Sequence, residues 1–221
     1  MNYKSNIFFH REQELFLFDP TKHVKRPTSD QKEFEALIAP FIADIKCSLN
    51  ETAMALRELH AKNPPHHFLS RFDSMFFNGK FIGILKDTLG VDYFDVNSEG
   101  RTYMKLGKYT VFFKKVDSNL NPRNLRTQST DRIDAQYARI SETPSPIVFI
   151  GYKPMRGNWS VMDGLYAIYN DKERSKRWVS DLFVIEHIEA INKQVIIDNL
   201  ISTVDTEQPR IKVRKETVQA M

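Results

Sequence analysis

Cysteine is almost absent from this chain. Cys47 is alone in 221 residues, so no internal disulfide can form. It lies in a helical apolar pattern, which predicts a buried, inert thiol. No apolar run approaches the roughly 18 residues that a membrane span needs. The first residues also lack the apolar region and cleavage site of a secretory signal. These absences predict a cytoplasmic protein with no membrane partner.

Familiar catalytic motifs are also missing. The chain has no Gly-x-Ser-x-Gly elbow, and its few glycines are not grouped into a phosphate-binding loop. None of the six histidines has another histidine at the His-x-x-x-His spacing of a helical metal site. We therefore expect no metal and no cofactor, and the sequence leaves open whether the chain is an enzyme.

The composition is that of an ordinary globular protein. Hydrophobic residues make up 41% of the chain and charged residues 27%, and sixteen phenylalanines predict an aromatic-rich core. This length fits one compact unit. We divide it into a helical lobe (1–92), a sheet region (93–201) and a polar tail (202–221).

The first division has helical signals. Asp30 and Glu33 have the spacing of an N-terminal capping box. Apolar residues then recur at helical spacing and predict a buried stripe: Phe34, Leu37, Phe41 and Ile45. The stripe stays in phase across Pro40, which predicts a kink or two closely coupled helices rather than a domain break. Gly90 stands where a helix would end.

From Tyr93 onward the apolar period indicates strands. A hairpin is expected over 102–116, a short helix from Thr127 to Ile140, and a central strand over 147–152. Asp163 and Gly164 predict a turn. Further strands are expected over 165–169 and 178–185, and a helix over 186–201. The predicted fold class is α+β, with the helical N-terminal lobe packed on an antiparallel or mixed sheet of about five strands.

Positive charge is concentrated in the middle of the chain. Residues 101–160 contain eleven Lys and Arg and four Asp and Glu, a net charge of +7, which leaves −3 for the rest. Such a region is a candidate surface for polyanions. A polar, basic segment between two predicted strands gives the candidate nucleic-acid-binding residues: Lys114, Lys115, Arg123, Asn124, Arg126, Thr127, Arg132, Gln136 and Arg139.

Two catalytic alternatives stay open. A metal-dependent nuclease would need converging acidic residues beside a cation, and Asp92, Asp95 and Glu99 precede Arg101 and Lys105. A metal-independent ribonuclease would use the polar segment itself, with Tyr137 or a histidine carrying protons. Without catalysis, the acidic residues would form a solvated turn and the polar segment a surface loop.

Aromatic residues are interleaved with these cations, as in single-strand binding platforms. The set comprises Tyr103, Tyr109, Phe112, Phe113, Tyr152 and Trp159. The same alternation arises from ordinary strand burial, so core packing is the competing interpretation. Tyr152 and Trp159 are the best candidates for exposed rings.

Residues 112–127, with Gln136 and Ile150-Gly-Tyr152 downstream, resemble a pattern in little-characterised bacterial proteins. Those proteins are often encoded beside ImmA/IrrE-type regulators, in toxin–antitoxin-like or phage-defence loci. The resemblance implies a context rather than a reaction. We expect a toxin-like or defence-associated effector that acts on RNA or DNA, with a cognate antitoxin or regulator as protein partner. The alternative is a non-catalytic binding protein, such as a phage- or plasmid-encoded inhibitor or an antitoxin-side partner.

Overall fold

The N-terminal part of the chain is helical, as predicted. The structure, a computed structural model, describes residues 17–62, 72–123, 127–155 and 158–185. Its helices here are α1 (Gln31–Ile38), α2 (Ile42–Lys62) and α3 (Phe72–Leu89). Asp30 caps α1 by accepting a hydrogen bond from the backbone N–H of Glu33 at 2.8 Å.

Pro40 interrupts the helical stripe without ending it. A 3-10 turn, Ala39–Phe41, joins α1 to α2 because proline has no N–H to continue the α-helical bonding. At the far end of the lobe Gly90 has a positive φ of 96°, and its N–H donates to the Lys86 carbonyl. Of the two alternatives at Pro40, the structure has two closely coupled helices, and the predicted helix end at Gly90 is confirmed.

In the described part of the chain, eight strands follow or flank these helices. They are β1 (His23–Lys25), β2 (Phe94–Val96), β3 (Thr102–Leu106), β4 (Tyr109–Lys115), β5 (Tyr137–Arg139), β6 (Ile147–Met155), β7 (Asn158–Asp171) and β8 (Lys176–Asp181). A short helix, α4 (Gln128–Asp134), stands between β4 and β5. Six strands form one sheet in the order β2-β3-β4-β6-β7-β8, and β1 pairs with β5 in a separate antiparallel ribbon.

The sheet is mixed because β4 and β6 run parallel while its other neighbours are antiparallel. α1, α2 and α3 cover one face, where helix residues such as Ile45 share one hydrophobic cluster with Val111, Phe113 and Ile150 of the sheet. On the other face Ile133 of α4 packs with Phe112, Phe149 and Ile168. β6 is buried on both faces from Ile147 to Tyr152, so the α+β class and the central strand are confirmed.

Three sequence predictions are wrong in detail. The helix starting after Thr127 ends at Asp134, and residues 137–139 form β5 instead, because they pair with a strand far away in the sequence. Gly164 lies inside β7 at a register irregularity. A Cβ there would lie 2.4 Å from the Tyr166 ring. The strand expected over 178–185 ends at Asp181.

Cys47 is also placed differently from the prediction. The residue is exposed on α2 rather than buried. Partial desolvation of the thiol and the neighbouring Glu51 carboxylate raise the pKa of Cys47. Less of it is therefore present as the reactive thiolate than for an ordinary cysteine. The helix predicted over 186–201 and the polar tail lie outside the described residues.

Candidate nucleic-acid interface

Lys114 and Lys115 end β4, and they point to opposite faces of the sheet. Successive side chains of a strand alternate, so Lys115 follows Phe113 toward the helical face and Lys114 follows Phe112 toward the face of α4. The Lys115 ammonium lies 3.8 Å from the centre of the Trp159 ring. The two lysines therefore do not form one flat basic patch.

Both lysines are half-buried, and their surroundings disfavour the charged ammonium form. Burial lowers the pKa of Lys114, and the neighbouring Arg101 lowers it further. Burial also lowers the pKa of Lys115, with the nearby Arg123 acting in the same direction and Asp73 opposing it. Each ammonium lies where water solvates it poorly and where another cation is close. An incoming anion would relieve both effects.

Arg123 is held beside Lys115 by the loop that follows β4. Asp117 organises this loop, since its carboxylate accepts hydrogen bonds from the backbone N–H groups of Asn119 and Asn121, each at 2.9 Å. The Arg123 N–H then donates to the Lys115 carbonyl at 2.9 Å. The Arg123 side chain is exposed. The loop thus presents a free guanidinium at the carboxyl end of β4.

Most other cations of the basic segment are neutralised. Nine of its eleven Lys and Arg are described, and five of these form ion pairs with carboxylates: Lys105, Lys108, Arg132, Arg139 and Lys153. Within the described ranges, the four that form none are Arg101, Lys114, Lys115 and Arg123. Arg101 is close enough to Lys114, and Arg123 to Lys115, for each arginine to lower the pKa of its lysine. We name these four residues the cationic edge.

Arg132 and Arg139 do not behave as the sequence predicted. Arg132 is only 3% exposed. Its Nη2 lies 2.6 Å from Glu99 Oε1, and its Nη1 lies 3.0 Å from Glu142 Oε2. Arg139 is exposed but shares Glu99 at 3.0 Å. Arg132 is therefore removed from the candidate interface, and Arg139 would have to leave its partner to join it.

Gln136 is likewise removed. The side chain is fully buried, and its Nε2 donates to the carbonyls of Ile147 and Asn170 at 2.9 and 3.1 Å. Its Oε1 accepts from the Ile147 N–H at 3.0 Å. Every polar atom of this amide is engaged inside the protein. Gln136 is a structural residue rather than a binding one.

Thr127 caps α4. Its Oγ1 accepts from the Thr130 N–H at 3.2 Å, and the Thr130 Oγ1 accepts in return from the Thr127 N–H at 2.8 Å. This capping box commits the hydroxyl to the start of the helix. Asn124 and Arg126, also predicted for the interface, lie outside the described residues.

The predicted acidic cluster is dispersed among different partners. Asp95 pairs with Lys105 at 3.0 Å, which lowers the pKa of its carboxyl. Glu99 pairs with Arg132 and accepts a hydrogen bond from Ser129. In the parts of the chain that the structure describes, no three potential metal ligands converge. The arrangement expected of a metal-dependent nuclease is not formed by these carboxylates.

The candidate proton carrier Tyr137 is also engaged. Its hydroxyl donates to Glu173 Oε1 at 2.9 Å, and burial with this contact raises the pKa of Tyr137 to about 12. A phenol with so high a pKa is a poor general base near neutral pH. Tyr137 therefore does not serve as the proton carrier of a metal-independent ribonuclease, and of the described histidines His60 contacts Asp73 at 2.9 Å.

Four of the six aromatic residues follow the core-packing interpretation, while Tyr103 and Trp159 are only partly buried. Tyr152 is 1% exposed, which contradicts its predicted exposure, and Tyr109, Phe112 and Phe113 are buried. Trp159 is half-buried, with one side against Phe77 at 5.3 Å between ring centres. It adjoins the cationic edge through Lys115. Lys115 and Trp159 are far apart in the sequence, so no local pattern predicts their contact.

No protein-family model, curated protein or solved structure matches this chain. Among the described residues, no helix has the length and apolar character needed to cross a membrane.

Proposed function

We propose that this chain binds single-stranded nucleic acid along the cationic edge. The observation that carries the proposal is the distribution of unpaired charge. The described Lys and Arg of the basic segment that lack carboxylate partners all belong to one end of the sheet. An ion-paired lysine must lose its partner before it binds phosphate, whereas these four need not.

The geometry favours a single strand over a duplex. Lys114 and Lys115 face opposite sides of the sheet, so a ligand that contacts both must bend around the end of β4. A single strand is flexible enough to do so. The Trp159 ring holds the Lys115 ammonium in place through a cation–π contact of 3.8 Å.

We propose binding without catalysis by the described residues. Three of the side chains expected to serve catalysis, Gln136, Arg132 and Tyr137, are buried or engaged. This agrees with the non-catalytic alternative drawn from the sequence. The cytoplasm is the compartment in which we expect the protein to act.

Fluorescence anisotropy with a labelled single-stranded oligonucleotide tests the proposal. Each neutralised phosphate contributes roughly −0.7 to the log–log salt slope for single strands. Replacing Lys114 and Lys115 together with alanine should then reduce the slope by about 1.4 and weaken binding to every sequence alike. Lys153→Ala is the matched control, since Lys153 already pairs with Asp163 at 2.7 Å. Equal affinity of the double variant and the wild type would contradict the proposal.

The toxin-like or defence-associated role is proposed from the resemblance of residues 112–152 alone. Expression in a bacterial host tests it. We expect growth arrest that is relieved by the adjacent gene, if that gene encodes the antitoxin or regulator. The double lysine variant should no longer arrest growth. Normal growth on expression of the wild-type chain would contradict the toxin-like role, and the proposal of nucleic-acid binding would stand without it.

A further inference from the structure

A polar cleft of 540 Å³ is lined by residues at the amino ends of β4 and β6, and it reaches Phe112, two residues before Lys114 of the cationic edge. Thr110 and Ile147, the paired residues where the two strands begin, line it. Its volume is within the range of about 300–1,000 Å³ found for small-molecule sites. The nucleic-acid proposal does not use this cleft.

Two buried guanidinium groups form part of the cleft wall. Arg26 is 6% exposed and Arg132 3%. Arg26 Nη2 and Arg132 Nη1 lie 2.9 and 3.0 Å from the same carboxylate oxygen, Glu142 Oε2. Burial lowers the pKa of Arg26, Glu142 opposes this effect, and the neighbouring Arg132 adds to it. Positive charge is thus crowded around one acceptor.

Charge is also unbalanced over the whole cleft. Its lining contains three cations, Arg26, Arg132 and Lys105, but only two carboxylates, those of Asp95 and Glu142. Glu99 does not line the cleft, and it forms ion pairs with both Arg132 and Arg139. Adding Glu99 and Arg139 to the count leaves the same excess of one positive charge. An anion in the cleft would complete the balance.

The other lining groups indicate what the anion is attached to. Thr110, Ser141, Thr143 and Ser145 line the cleft, and their hydroxyls form no side-chain hydrogen bond within the described ranges. Tyr103 and Phe112 add an aromatic wall, with 5.9 Å between their ring centres. Hydroxyls suit a sugar or phosphate oxygen, and aromatic rings suit a planar group.

We propose that this cleft binds a phosphorylated small molecule of nucleotide size. The phosphate lies toward Lys105, which exchanges Asp95 for the phosphate oxygens. The guanidinium groups of Arg26 and Arg132 add positive charge nearby while they donate to Glu142. The planar part lies against Tyr103 and Phe112. Lys105 is 55% exposed and stands on β3 with Tyr103 on the same face of the strand, so it is the cation that an entering ligand can reach.

Isothermal titration calorimetry on the full chain tests this with three probes: adenosine monophosphate, inorganic phosphate and adenosine. We expect adenosine monophosphate to bind at least 10-fold more tightly than adenosine, because only the former brings the missing negative charge. Failure of adenosine monophosphate to bind at about 1 mM, where binding free energy is only about −4 kcal/mol, would overturn the proposal.

A matched pair of lysines locates the site. Lys105 pairs with Asp95 and is 55% exposed, while Lys108 pairs with Glu33 and is 53% exposed, but only Lys105 lines the cleft. Lys105→Met should weaken nucleotide binding by about 10-fold, and Lys108→Met should leave it unchanged. Equal affinities of the two variants would overturn the assignment.

A second variant separates this site from the cationic edge. Thr110→Val removes one cleft hydroxyl while keeping a β-branched side chain in β4, and it should weaken adenosine monophosphate but not oligonucleotide binding. The double alanine variant of Lys114 and Lys115 should show the reverse pattern. If that double variant instead abolishes nucleotide binding, the nucleotide occupies the cationic edge and the cleft assignment is wrong.

Discussion

The Gln136 side chain forms a two-way hydrogen-bonded pair with the backbone of Ile147. Its Nε2 donates to the Ile147 carbonyl at 2.9 Å, and its Oε1 accepts from the Ile147 N–H at 3.0 Å. Gln136 has a positive φ of 55°, which turns the chain between α4 and β5. The amide thus occupies the place of a neighbouring strand at the start of β6 and connects the crossover to the sheet.

Gln136→Ala should destabilise the fold without creating a binding defect of its own. It leaves the N–H and carbonyl of Ile147 buried and unpaired, at about 1–3 kcal/mol for each group. Urea unfolding should therefore show a loss of several kcal/mol. Gln128→Ala, at an exposed position of α4, is the control and should stay within about 0.5 kcal/mol of wild type. Unchanged stability of Gln136→Ala would contradict the structural role.

The helical stripe has an uneven burial that predicts uneven stability. Phe34 is fully buried, with its ring centre 5.2 Å from that of Tyr109 and 5.6 Å from that of Trp178. Phe41 is only partly buried and packs on Tyr93 at 5.4 Å. Phe34→Ala should cost about 3–5 kcal/mol and Phe41→Ala clearly less, measured by chemical unfolding. A larger loss for Phe41 would show that its ring is buried in solution.

Glu99 should make stability depend on pH in the acid range. Burial acts to raise the pKa of its carboxyl, but hydrogen bonds from Ser129 and Arg132 outweigh burial and lower it. A carboxyl with a lower pKa in the folded state stabilises the protein above its unfolded pKa. That contribution is lost as pH falls through the folded pKa. Thermal melts of Glu99→Gln should therefore vary less with pH below about 4.5 than those of wild type.

The local patterns of this sequence predict the elements well where neighbours along the chain decide the structure. The Asp30 cap, the break at Pro40 and the hairpin around Gly107 each depend on residues within one or two turns. The order of the strands in the sheet could not be predicted from local patterns, because it depends on contacts between distant residues. β5 forms because residues 137–139 meet β1, more than a hundred residues earlier, and nothing local distinguishes Tyr137–Arg139 from the end of a helix.

The candidate site was predicted less well, for two physical reasons. Arg132 and Gln136 look like surface residues because Arg and Gln are usually exposed, but their burial depends on distant partners such as Glu99 and Asn170. The count of charges also misleads, since sequence does not show which cations are paired. Lys114, Lys115 and Arg123 stay candidates, and Arg101, which was assigned only to the acidic cluster, joins them.

The lowered pKa values of the two lysines predict a pH dependence of nucleic-acid binding. Phosphate binding needs the ammonium form. Burial lowers the pKa of both Lys114 and Lys115, so they lose their charge at a lower pH than an ordinary lysine. Oligonucleotide affinity at fixed salt should therefore fall as pH rises on the alkaline side of neutrality, before exposed lysines begin to titrate.

Replacing Lys114 and Lys115 together with arginine should remove this dependence, because a guanidinium stays protonated throughout the range in which the protein is folded. Anisotropy titrations of wild type and double variant across the alkaline range provide the comparison. Lys153→Arg is the control, since its pairing with Asp163 raises the pKa of Lys153 and keeps that residue out of the transition. Affinity that falls equally with pH in the double variant would mean that other groups carry the binding, and the cationic edge would lose its assignment.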